Sequence, residues 1–136
     1  MDYPLPNDVV ETAVLEALAE DLGLAGDITT NPIIPADARA AAAIVVREPA
    51  CIAGLDLAEA AFRALDPGVT FERLVDDAAA AEAGATIARV EGLTRALLTG
   101  ERTALNFFGR LCGIATLTAA FVAKVEGTKA RIADTR

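Results

Sequence analysis

Residues 99–125 read TGERTALNFFGRLCGIATLTAAFVAKV, and the reading of this stretch decides the fold. Leu105, Phe107, Phe108, Leu111, Ile114, Leu117, Phe121 and Val122 put apolar side chains on nearly every side of a helix. A helix with so little polar surface is normally buried or sits in a subunit interface. Gly127 can end it. Arg102, Asn106, Gly109, Arg110 and Gly113 recur at spacings of 4, 3, 1 and 3, which gathers them into one stripe on that helix. Charge on a helix ordinarily faces water. The dense apolar flanks here predict instead that Arg102 is partly buried, and a buried guanidinium needs an anion.

Working outward towards the amino terminus, residues 8–22 show helical spacing at Val10, Val14, Ala17, Leu18 and Leu22. Asp8 with Glu11 predicts a near capping box, and Gly23 a stop. The connector Gly26-Asp27-Ile28-Thr29-Thr30-Asn31-Pro32 is rich in side chains that bond their own backbone, so it reads as a structural, turn-rich loop. Residues 40–47 (AAAAIVVR) predict a strand. Gly54 opens a second helix over 55–65, closed by the turn Asp66-Pro67-Gly68. Residues 69–75 and 85–91 predict two more strands, separated by the alanine-rich 76–84. Residues 129–136 (KARIADTR) read as one further strand. The order predicts an α+β fold, an N-terminal α/β sandwich.

Composition bounds the chemistry. The chain has 136 residues, enough for one sizeable core. Alanine alone supplies 31 of them, so the apolar fraction of 54% overstates the core signal. Twelve basic against 20 acidic residues leave a net charge of −8, which argues against a nucleic-acid partner. There is no histidine, which closes histidine catalysis and the usual zinc sites to these residues. Cys51 and Cys112 are too far apart for a CxxC motif and lie in apolar contexts, so they read as structural thiols. The start, Met1-Asp2-Tyr3-Pro4-Leu5-Pro6, is acidic and proline-broken, unlike a signal peptide. No uncharged apolar run reaches the ~18 residues of a membrane span. A reducing cytoplasm is the expected compartment, with no membrane partner.

Two places can hold chemistry. One is the helix stripe, because the arginine fork matches a planar carboxylate or a phosphate. The other is Asp134-Thr135-Arg136 at the carboxyl end of the last expected strand, where α/β proteins build ligand sites. A frayed, solvated chain end is the competing reading of that motif.

Six strings extend the argument. Ala19-Glu20-Asp21-Leu22-Gly23 precedes Gly26-Asp27-Ile28-Thr29-Thr30; then come Gly100-Glu101-Arg102-Thr103-Ala104-Leu105-Asn106-Phe107 and Gly113-Ile114-Ala115-Thr116. Gly127-Thr128-Lys129-Ala130-Arg131 leads to Asp134-Thr135-Arg136. In this order the sequence resembles quinolinate phosphoribosyltransferases, also called nicotinate-nucleotide pyrophosphorylases (carboxylating), from about residue 10 onward. The resemblance implies an N-terminal sandwich (residues 1–112) leading through the long helix into the first strand of a truncated C-terminal α/β barrel (residues 113–136). It implies a homodimeric pentosyltransferase that converts quinolinate and phosphoribosyl pyrophosphate into nicotinate mononucleotide, CO2 and pyrophosphate with Mg2+, in NAD synthesis. By position Arg102 matches an arginine that reaches the quinolinate site of the neighbouring subunit, and Thr135 and Arg136 match the start of a substrate-binding strand end. No catalytic residue and no metal ligand is expected in these 136 residues. The chain reads as an N-terminal fragment, inactive by itself. Two alternatives stay open: a molybdenum-transport protein of the same fold, and a non-catalytic dimerisation module.

Overall fold

The computed structural model describes residues 5–134. Helix α1 spans Asn7–Leu22 and buries Val10, Val14 and Leu18, the i, i+4, i+8 row read from the sequence. Its start corrects the expected capping box. Asp8 lies inside the first turn, and Pro6 occupies the cap position, its carbonyl accepting from the N–H groups of Val9 and Val10. Proline suits that entry because its φ is preset, and Asp8 still favours the helix through the dipole. Gly23 ends the helix with φ +52°, donating to the Ala19 carbonyl.

Strands β1 (Arg39–Val45), β3 (Thr70–Arg73) and β5 (Thr86–Leu93) form an antiparallel sheet in the order β1-β5-β3. The register opposes Ala42 to Val90 and Phe71 to Val90, so one face carries Ile44, Ala88, Val90 and Phe71. These side chains are buried against the helices. The ring of Phe71 lies 6.3 Å from that of Phe62 on helix α2 (Leu55–Leu65). The opposite face carries Ala41, Ala43, Glu72, Arg89 and Glu91 and is exposed. A short ladder of β2 (Ala50–Cys51) with β4 (Ala80–Ala81) was not foreseen. Two alanine-containing dipeptides carry no periodic signal; their pairing is a tertiary event.

Helix α2 receives its N-terminal cap from far along the chain. Gly54 has no side chain to offer, and the Asp77 carboxylate accepts from the N–H groups of Gly54 (3.0 Å) and Leu55 (3.3 Å). At the other end the Asp66 carboxylate accepts from Gly68 and from Leu93 at the end of β5. The Leu93 N–H holds this carboxyl below its ordinary range against the opposing effect of burial, with Gly68 assisting.

Helix α3 runs from Thr94 to Val125, 32 residues, beginning directly after β5 rather than at Thr99. At ~1.5 Å per residue it is about 48 Å long. It changes character along its length. Its first half buries Ala96, Leu97, Gly100, Thr103, Ala104, Phe108 and Cys112. Beyond Cys112 none of its residues is buried, and Ile114, Leu117, Phe121 and Val122 are exposed. By length and composition alone α3 could cross a membrane, although Arg110 interrupts it. The strand expected over 129–136 does not form across 129–134. A strand exists as one side of a ladder, and no described strand lies beside this segment. Thr135 and Arg136 lie outside the described residues.

Candidate functional site

The stripe on α3 faces α1 across a groove of about 250 Å³. Arg102, Asn106, Phe107 and Arg110 line one wall, and Glu20 and Asp21 the other. Four-residue steps on a helix stack these polar groups one turn apart, which is why the sequence spacing survives as a wall. Arg102 is not partly buried as expected: its side chain is 76% exposed. Of the apolar residues that predicted its burial, Phe108 is buried and Phe107 and Leu111 pack partly on the core, whereas Leu105 and the carboxyl half of α3 are exposed, and the face that carries Arg102 is left open. Its anion is Asp21, whose carboxylate lies 3.3 Å from the guanidinium and is itself only 21% exposed. Arg110 makes no ion pair among the described residues.

A second set of contacts fixes the groove. The Asp27 carboxylate accepts from the N–H groups of Thr29 (3.1 Å) and Thr30 (2.8 Å), and from the Thr99 hydroxyl on α3 (2.7 Å). Hydrogen bonds from Thr30, hydroxyl and backbone, and then from Thr99 hold this carboxyl well below the usual carboxylate range. Arg95 donates from Nε to the Ile34 carbonyl (2.7 Å) and from Nη2 to that of Asn31 (2.9 Å). The loop read as structural is therefore stitched to the first two turns of α3, just before Arg102. Sequence reasoning missed Arg95, Thr99 and the pairing of Asp21. Asp21 stood in a quoted motif, but nothing local signals a partner on another helix.

The thiols behave as expected of structural cysteines. Cys112 is buried, hydrogen-bonded to both the N–H and the carbonyl of Ala53, and burial pushes its thiol pKa up. Cys51 donates to the Ala78 carbonyl at 3.7 Å. A cavity of about 1050 Å³ lies between the carboxyl half of α3, the 51–53 segment and residues 126–132. Its lining is mostly small and apolar, with Asp77 committed to capping α2 and Glu126 and Arg131 at its edge. Among the described residues no group of three or more Cys, Asp or Glu side chains could hold a metal ion.

Residues 27–112 match the family profile described as the N-terminal domain of quinolinate phosphoribosyl transferase. The chain belongs to the quinolinate phosphoribosyltransferase family. A relative from Mycobacterium leprae, named nicotinate-nucleotide pyrophosphorylase [carboxylating], is 42% identical over 134 residues, covering 95% of this chain and 46% of its own length. The chloroplastic protein of that name from Oryza sativa subsp. japonica is 38% identical over 104 residues, 76% of this chain and 28% of its own. The solved nicotinate-nucleotide pyrophosphorylase of Francisella tularensis superposes with a TM-score of 0.84 at 36% identity, covering 91% of this chain and 44% of that one. The chain thus spans less than half the length of these relatives. The family match begins at Asp27, the residue that pins the loop to α3, and ends at Cys112, the last buried position on that helix.

Proposed function

We propose that these residues are the amino-terminal part of an enzyme that transfers phosphoribosyl from phosphoribosyl pyrophosphate to quinolinate with decarboxylation, giving nicotinate mononucleotide, CO2 and pyrophosphate. The observation that carries the reading is the family match together with an exposed guanidinium, Arg102, on a groove wall. Quinolinate is a ring with two carboxylates, and a site for it needs cations at fixed angles. Arg102 holds one carboxylate, acting in the site of the neighbouring subunit of a homodimer. Thr135 and Arg136 are proposed to contribute to substrate binding as well. The division at residues 112/113 fits α3, whose buried positions stop at Cys112. Mg2+ is assigned to none of the described residues, which form no group of three or more carboxylate or thiol ligands. It is proposed to enter with phosphoribosyl pyrophosphate, whose leaving group it would neutralise. The 136 residues alone are expected to form no product. The free thiols suit a reducing cytoplasm.

The test is Arg102→Ala in the full-length protein. Loss of one charge-assisted contact in a shielded site costs roughly 2–4 kcal/mol, so quinolinate use should fall about 30- to 1000-fold. Arg102→Lys should recover only part, since an ammonium lacks the fork. Affinity for phosphoribosyl pyrophosphate should change far less. Heterodimers of Arg102→Ala subunits with subunits defective in the barrel should regain one working site. Uniformly inactive mixtures would overturn the assignment across the interface.

A further inference from the structure

The ion pair between Asp21 and Arg102 joins two unequal partners. Arg102 projects from α3 with its side chain 76% exposed. Asp21 is only 21% exposed and sits on the last turn of α1, next to the Gly23 stop. Beyond that stop, Asp27 binds Thr99, one helical turn before Arg102 on α3. The carboxylate of Asp21 is therefore held at a set place beside α3 by contacts on both sides of it. A long, exposed arginine has many rotamers, and holding it in one of them is opposed by entropy. The nearest approach of Asp21 to Arg102 is at Nη1, 3.3 Å, an ion pair rather than an aligned hydrogen bond. Among the described residues no guanidinium N–H of Arg102 makes a hydrogen bond, which leaves its donors available to an incoming carboxylate.

We propose that Asp21 is a positioning residue: its ion pair restrains the Arg102 guanidinium so that its free donors meet the acid substrate preorganised. This rests on the reading that Arg102 binds a substrate carboxylate. An exposed ion pair carries up to ~1 kcal/mol, so the effect on the substrate constant is about two- to fivefold. Asp21 touches no reacting atom, and the effect falls on KM for the acid and not on kcat.

Two measurements decide it. In the full-length protein, Asp21→Asn should raise KM for quinolinate about two- to fivefold with kcat and KM for phosphoribosyl pyrophosphate unchanged, and Asp21→Glu should recover part of the loss. In an Arg102→Ala background Asp21→Asn should add nothing, because the residue it positions is gone. In the full-length protein the 15N order parameter of Arg102 Nε should fall on Asp21→Asn at unchanged thermal stability. An unchanged order parameter, an unchanged KM, or an equal increase in both backgrounds would overturn the proposal. If Arg102→Ala itself leaves quinolinate use normal, the proposed function of Arg102 fails and this inference falls with it. If Arg102→Ala is impaired and Asp21→Asn is not, only this inference fails.

Discussion

Gly54→Ala tests how α3, the helix that carries Arg102, is seated on the domain. Gly54 adopts φ +95° at the start of α2, a conformation that L-residues rarely adopt. A methyl group there would also lie 2.7 Å from Cδ1 and 3.3 Å from Cβ of Leu111 on α3. The backbone contribution is about 1–2 kcal/mol for a side chain forced into positive φ. Overpacking adds about 1–3 kcal/mol, since Leu111 must turn away or α3 must move. The sum, about 2–5 kcal/mol, is a large share of the ~5–15 kcal/mol that holds an ordinary domain together. Urea unfolding followed by far-ultraviolet circular dichroism reads the loss as a lower midpoint at unchanged slope. Leu111→Ala separates the two contributions. In that background Gly54→Ala should lose the clash with Cδ1 and keep only the 3.3 Å approach to Cβ, so its cost should fall towards the backbone part, about 1–2 kcal/mol. Should the single variant be too unstable to fold, Leu111→Ala should restore a measurable transition. A cost below about 0.5 kcal/mol, or an equal cost in both backgrounds, would refute the argument.

Other outcomes follow from the same contacts. The 136-residue chain should self-associate through the exposed face of Ile114, Leu117, Phe121 and Val122, and Leu117→Glu with Phe121→Glu should shift it towards monomer. Light scattering that shows only monomer in the unsubstituted chain at high concentration would count against this. Asp27 has its folded pKa lowered by Thr30 and Thr99, so its contribution is present above the unfolded value of about 3.9 and is lost as pH falls below it. Urea midpoints between pH 6 and pH 2.5 should therefore fall less steeply in Asp27→Asn, and equal slopes would contradict the assignment. Cys51 should react with a disulfide reagent roughly tenfold faster than Cys112, whose thiol is buried with a raised pKa. Faster labelling of Cys112 would show that the carboxyl half of α3 opens.

The elements with strong periodicity were legible from the residues. The α1 row of Val10, Val14 and Leu18, the bounds of α2 and the three principal strands all follow from spacing and from Gly and Pro punctuation, because burial of one face imposes the period. The stripe on α3 was legible as well, since helical geometry alone brings Arg102, Asn106 and Arg110 to one side. The environment of that stripe was not. An apolar composition does not say which apolar residues find cover: Phe108 is buried, Leu105 is exposed, and Arg102 lies on a side of α3 that the core does not cover.

What the sequence determined by itself is local: the helices, the strands, the turn-forming loop and the ordered motifs that carry the family resemblance. Tertiary structure alone decided the contacts between distant residues. Asp77 caps a helix that Gly54 cannot cap, Asp27 binds Thr99, and Asp21 reaches Arg102. Each joins a short polar side chain to a group on another element, and no local pattern names that partner. Such a contact forms only where packing has already brought its two groups together. The same reasoning explains why residues 129–134 carry a strand-like composition without a strand: β-structure needs a neighbour, and only the fold supplies one.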